Sequence, residues 1–214
     1  AAPFPWETAS ENWIAAWGIV NDGPWWVVHE GGHFYGLLHT HGGCGCPSTD
    51  GCTFLNGYWV GDDGLSDTLM EAAGDFCFTN INQITLANFN KPFDNCTASE
   101  QQLAEDTFFN VMSYHDPRNK DTLINRMTEQ QADRFTTYAN TDRANTVSGR
   151  THFVSSTGNN ANSGLDSAAP KRTVLNAINA SAAGGGDIVL IRPGNYNEQL
   201  TINKSVAVVG AGSS

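Results

Sequence analysis

Apolar residues in this chain fall in short runs, and only a few of those runs carry a clear period. Val28, Tyr35 and Leu38 recur near the spacing of a helical turn and predict a helix from Val27 to Leu38. Gly31, Gly32 and Gly36 each subtract about 1 kcal/mol from that helix. Ahead of it, in an opening rich in Trp, Pro and Ala, Trp17-Gly-Ile-Val20 reads as a short strand. Residues 40–110 are rich in Gly, Asp, Asn and Cys, lack long periodic runs and read as loop. Thr128-Glu-Gln-Gln131 fits a capping box and opens a helix to about Tyr138. The polar, aperiodic stretch from Ala139 to Arg150 predicts a domain boundary, dividing the chain into residues 1–145 and 151–214. After it come a Ser/Asn/Gly/Ala-rich segment, a short helix over Lys171–Ala183, and strands at Asp187–Ile191, Gln199–Ile202 and Val206–Val209.

The first predicted helix carries the densest chemistry in the chain. His29-Glu30-Gly31-Gly32-His33 is an HExxH motif, and positions four apart share one helix face, so both imidazoles can reach one ion. The sequence continues to His39 in the long form HExxHxxGxxH. Gly36 is where the chain must leave the helix, with positive φ, for His39 to swing back to the metal. Three histidines leave a fourth zinc position open for water, and Glu30 is placed to take that water's proton. His41, just beyond the motif, reads as a loop histidine, because a fourth protein ligand would close the position that water needs.

Bulk properties narrow the rest. The chain has 214 residues, 40% hydrophobic and 15% charged, enough for a packed core and unlike a disordered polypeptide. A net charge of −11 argues against a nucleic-acid partner and suits oxygen-ligated cations such as calcium. No apolar stretch approaches the roughly 20 residues that span a bilayer. No signal-peptide pattern opens the chain, so Ala1 reads as a mature N-terminus or a cut end. Five cysteines, Cys44, Cys46, Cys52, Cys77 and Cys96, cluster within residues 44–96. They fit disulfides in a secreted protein or a second metal site, and the tight Cys44-Gly-Cys46 spacing disfavours a structural zinc knuckle.

The long histidine motif resembles the metzincin zinc peptidases. Asn110-Val-Met112-Ser-Tyr114 looks like their Met-turn, which implies that Met112 forms an apolar floor beneath the metal and that Tyr114 stabilises the oxyanion. The segments His39-Thr40-His41-Gly42-Gly43-Cys44 and Gly61-Asp62-Asp63-Gly64-Leu65-Ser66-Asp67-Thr68 resemble the pappalysin (cytophagalysin-like) branch, with His41 where an aromatic residue is usual and Leu69 where a proline commonly follows. The resemblance covers roughly residues 17–138 and implies that Asp62, Asp67 and Thr68 bind structural calcium. It also implies a twisted sheet ahead of the zinc helix. Only 28 residues precede His29, so an N-terminally truncated domain is expected, with Trp17–Asn21 as a remnant edge strand that binds peptide by strand addition.

The C-terminal segment resembles the opening of a pectate-lyase-like right-handed parallel β-helix: Phe153 to Gly158, Pro170 to Ala183, then Gly186 to Glu198, with Leu200 to Gly210 continuing the coil. A solenoid needs about three stacked repeats, so this reads as an incomplete β-helix. The expected fold class is therefore α+β: a metzincin-like zincin domain and a first β-helical coil with its cap. The expected function is a secreted zinc metalloendopeptidase acting on proteins or peptides, its water activated by zinc and Glu30, with calcium as a second cofactor. The alternative is a binding or adhesin module with a degenerate peptidase domain and a β-helix that contacts carbohydrate or a cell surface. A polysaccharide lyase would need catalytic groups in later coils that this chain does not contain.

Overall fold

The computed structural model describes residues 25–42, 52–72, 78–113, 126–144 and 148–210. The expectations placed on Trp17–Asn21, Cys44, Cys46, Cys77 and Tyr114 lie outside those residues. Five α-helices and two small sheets among the described residues make this an α+β chain. In order they are α1 (Trp25–Phe34), β1 (Thr53–Leu55), β2 (Tyr58–Val60), α2 (Ile81–Phe89), α3 (Ala98–Phe108), α4 (Glu129–Asn140), β3 (Thr151–Val154), α5 (Val174–Ala180), β4 (Asp187–Ile191) and β5 (Val206–Gly210). None of the described helices is long and apolar enough to cross a membrane. The described residues group into two compact units, 25–132 and 133–210. The division falls inside α4, and the polar stretch from Ala139 follows it in the second unit.

In the first unit, β1 and β2 pair antiparallel as a hairpin in the register Leu55↔Tyr58 to Thr53↔Val60. Its two-residue turn is Asn56-Gly57, with φ of 47° and 93°. That is the pair of positive dihedrals a tight hairpin turn requires. Helices α2 and α3 pack on each other beside it, around a core of Val60, Ala72, Phe78, Ile84, Ala87, Ala104 and Phe108. Both begin with side-chain caps. Gln83 Oε1 accepts from the backbone N–H of Asn80 at 3.1 Å. Glu100 Oε2 accepts from Thr97 N at 2.7 Å while Thr97 Oγ1 accepts from Glu100 N at 3.3 Å. The expected loop over residues 40–110 thus contains a hairpin and two helices.

Helix α1 differs from its expectation twice. It ends at Phe34 instead of Leu38, and two of the three periodic apolar residues lie outward: Val28 is 51% exposed and Leu38 38%. The inward face carries His29, Gly32 and Phe34. The capping box at the start of α4 is present as read, with Gln131 Oε1 accepting from Thr128 N at 3.1 Å and Thr128 Oγ1 from Gln131 N at 3.3 Å.

In the second unit β3, β4 and β5 form one parallel sheet in that order. Thr151–Val154 pair with Ile188–Ile191, and Asp187–Ile191 pair with Val206–Gly210. Helix α5 packs against β3 and β4, burying Val174, Ala177 and Ile178 on Val154 and Val189. It is shorter than the expected Lys171–Ala183, because Thr173 caps it at one end and the chain turns extended at Ser181. Gln199–Ile202 is not a strand. The Glu198 carboxylate accepts from the N–H groups of Val174 and Leu175 at 2.9 and 3.0 Å, which ties that stretch to the start of α5, and Leu200 and Ile202 lie exposed. The described strands form a single sheet and do not close a coil.

Candidate metal centre

Helix α1 sets His29 and His33 one turn apart. Its end is a Schellman motif: the N–H of Leu37 donates to Gly32 O at 2.9 Å and that of Gly36 to His33 O at 3.0 Å. Gly36 takes φ of +86°, the reversal the spacing required, and Leu37 is buried against the helix end. The chain then brings His39 back across the helix. The ligand atoms of His29, His33 and His39 all lie within 4.8 Å of one another. His39 Nε2 stands 3.2 Å from His29 Nε2 and 2.9 Å from His33 Nε2.

Two backbone carbonyls decide which ring nitrogens face inward. His29 Nδ1 donates to Val111 O at 2.7 Å, and His33 Nδ1 donates to Leu37 O at 2.8 Å. A carbonyl only accepts, so each Nδ1 carries the proton and each neutral ring turns a bare Nε2 lone pair toward His39. A neutral His39 ring could offer its Nε2 proton to one of these lone pairs, whereas a cation between the three rings would be shared by all of them. Nitrogens bound to zinc at 2.0–2.1 Å in tetrahedral geometry stand about 3.3 Å apart, close to the two spacings that His39 makes. The three residues could hold a metal ion, and they leave a fourth position of such an ion without a protein ligand.

Burial keeps the three rings neutral. Desolvation, followed by the positive charge a protonated His33 would carry, lowers the His29 pKa to about 4. Desolvation and the neighbouring His33, His41 and His29 lower His39 to about 2. His33 is lowered as well, chiefly by burial, with its hydrogen bond to Leu37 and the charge of Glu30 acting in the opposite direction. Glu30 is half-buried, and its charge is near enough to act on His33. His41 is buried and its ring stacks on His39, centroids 4.6 Å apart, but it is not one of the three converging residues.

Met112 is fully buried, and its sulfur packs on α1 at Gly32, where a Cβ would come within 2.4 Å of Sδ. Around it, Thr40 N donates to Met112 O at 3.3 Å and Met112 N donates to Asn110 Oδ1 at 3.0 Å. Asn110 and Gln131 exchange reciprocal amide bonds of 2.9 and 3.1 Å, both fully buried.

The three residues expected to bind calcium serve separate local roles. Asp62 is exposed and accepts from Gly64 N at 3.1 Å. Asp67 accepts from Thr128 Oγ1 at 2.9 Å and Gln130 N at 2.8 Å, at the start of α4. Thr68 donates to Asp63 Oδ1 at 2.7 Å. Asp63, which the sequence pattern does not single out, is the buried carboxylate of this loop and also accepts from Leu65 N and Gln131 Nε2. Glu71 is not singled out either. It is fully buried and accepts from Ser113 Oγ at 2.8 Å and from Thr40 Oγ1. Both sit in loop-like sequence among other acidic residues, where nothing in the pattern separates a buried carboxylate from a solvated one. Among the described residues, Cys96 is a free thiol. Comparison with protein-family models, with curated proteins and with solved structures finds no match to this chain.

Proposed function

We propose that the protein is a zinc-dependent endopeptidase, a metzincin of the pappalysin type, hydrolysing peptide bonds in proteins. The observation that carries this reading is the convergence of the Nε2 atoms of His29, His33 and His39, with the Nδ1 protons of His29 and His33 held by backbone carbonyls so that their Nε2 lone pairs are free. Three neutral nitrogen donors and an open position suit zinc better than the oxygen-seeking magnesium or calcium. Zinc held there supplies Lewis acidity that makes water nucleophilic near neutral pH. Glu30 then takes the proton of the attacking water and passes it to the leaving amine. Met112 supports the helix that carries the first two ligands, and Tyr114 is assigned to the oxyanion on the strength of the motif alone.

The finer architecture belongs to the same proposal. Residues 1–145 form the peptidase, and residues 151–214 the first coil and cap of a β-helix, a reading supported by the parallel order of β3, β4 and β5. A polysaccharide or cell-surface partner for that segment rests on the sequence resemblance. Secretion rests on the clustered cysteines of the sequence, which fit disulfides in an oxidising compartment. Calcium at Asp62, Asp67 and Thr68 rests on the resemblance too, and the ion would have to replace the hydrogen bonds that Asp67 and Thr68 make.

The test measures zinc content and casein cleavage for the full chain and for Glu30→Ala. The expected result is one zinc per chain in both proteins, with cleavage lower in Glu30→Ala by a factor of at least about 100. Equal cleavage by the two proteins would sink the role of Glu30. Stoichiometric zinc with no turnover on any peptide library would favour the binding-module reading instead.

A further inference from the structure

Glu71 has no exposed surface. A buried carboxylate is expensive unless hydrogen bonds satisfy it, so its partners report what it is kept for. Among the described residues, its oxygens accept from two hydroxyls in different parts of the chain: Oε2 from Thr40 Oγ1, and Oε1 from Ser113 Oγ at 2.8 Å. Thr40 directly follows His39, and Ser113 directly follows Met112. The same two segments are joined once more by the bond from Thr40 N to Met112 O. Glu71 is itself fixed from behind, because its backbone exchanges two 2.9 Å hydrogen bonds with Gly61.

Of the three histidines, His29 and His33 are placed by one helix and by their own carbonyl bonds. His39 lies beyond the Gly36 reversal, on non-helical chain, and needs another source of rigidity. We infer that Glu71 is a positioning residue for the metal centre: its carboxylate clamps the segment that carries His39 to the segment that carries Met112, fixing where the third imidazole stands. The inference rests on the metal site proposed above. The charge matters as well as the shape. Hydroxyl bonds to a carboxylate are about twice as strong as neutral ones, and a glutamine in its place would turn an NH₂ toward one of the two donors.

The test uses cobalt(II) as the probe ion, added to the metal-free full chain. It reads affinity, the visible absorption of the bound ion and the thermal midpoint of the metal-free protein, for wild type, Glu71→Gln and Glu71→Ala. The expected result is affinity weaker by about tenfold in Glu71→Ala and by a smaller factor in Glu71→Gln, the range found when groups behind metal ligands are removed. The absorption band should change in both. Cobalt affinity and spectrum equal to wild type in both variants would overturn the inference, as would a lower thermal midpoint with affinity and spectrum unchanged. If Glu71→Ala does not fold, Thr40→Val and Ser113→Ala each remove one donor and should each weaken cobalt binding. Wild-type affinity in both of those variants overturns the inference. No stoichiometric cobalt binding by the wild type is a different failure, since it removes the metal site itself.

Discussion

Two adjacent glycines in α1 should respond in opposite directions to the same substitution. An alanine Cβ at Gly31 meets nothing within 4 Å. Alanine there should stabilise the helix by about 0.5–1 kcal/mol, since glycine is the worse helix former and the more entropic in the unfolded chain. At Gly32 the same Cβ falls 2.4 Å from Met112 Sδ and 3.3 Å from Leu37 Cδ1, and both neighbours are fully buried. Met112 must retreat by ~1 Å to reach ordinary contact. Its backbone has no such freedom, held at N by Asn110 and at O by Thr40. Overpacking of a filled site costs about 1–3 kcal/mol, enough to consume the helix-propensity gain and leave a net loss of about 1 kcal/mol. The two variants should therefore differ by about 2 kcal/mol, or roughly 4–8 °C in thermal midpoint for a chain of this size. Urea and thermal unfolding of Gly31→Ala and Gly32→Ala, read on the same transition, measure the difference. Adding Met112→Ala to Gly32→Ala should remove the penalty specific to position 32, a coupling visible in a double-mutant cycle. If Gly32→Ala proves as stable as Gly31→Ala, the packing of Met112 on α1 is wrong.

Two further outcomes follow from the buried groups of the centre. The unfolded chain takes up a proton at His29 below pH 6.5, whereas the folded, metal-free chain does so only below about 4. Stability rises with pH where the unfolded state binds more protons, so it should fall as pH drops from 6.5 to 4, with up to about 3 kcal/mol lost through His29 alone. Urea unfolding at pH 7.5 and 4.5, with His29→Asn as reference, reads this, and the same pH dependence in both proteins would contradict it. Asn110→Ala leaves Gln131 without its amide partner and Met112 N without its acceptor, both in buried surroundings. It should destabilise by about 3 kcal/mol and weaken metal binding, and urea unfolding with no loss of stability would refute the load assigned to that pair.

What was legible in the sequence followed local rules. The fixed spacing of His29, His33 and His39, the reversal at Gly36 and the capping box at Thr128 are each set by residues within one or two turns of each other, and each is present. The strand at Asp187–Ile191 was legible for the same reason. The apolar face of α1 was misread because periodicity assumes that apolar side chains point inward. Here the inward face belongs to His29, to a glycine that admits Met112, and to Phe34. Residues 81–108 look like loop because their surroundings are rich in Gly, Asp, Asn and Cys and their helices carry little hydrophobic period. Their helices are announced by Asn80 with Gln83 and by Thr97 with Glu100, and the hairpin by Asn56-Gly57. Asp63 and Glu71 were beyond reach of any local rule, since their partners lie up to 68 residues away.

The centre also mixes two scales of sequence distance, which bears on how the chain reaches its fold. The three imidazoles come from eleven consecutive residues, but the carbonyl that orients His29 is 82 residues away. An unfolded chain can therefore gather all three nitrogens by closing only a short loop, at little entropic cost, well before residue 111 arrives. An ion captured that early would seed α1 and its reversal, and the distant segments would then dock on a finished edge. The same capture weakens the ion as a thermodynamic staple. Whatever binds the unfolded chain is subtracted from the stabilisation that binding to the folded state confers, so metal should raise the thermal midpoint by less than its affinity for the native protein implies. Its larger effect would be on the rate of folding.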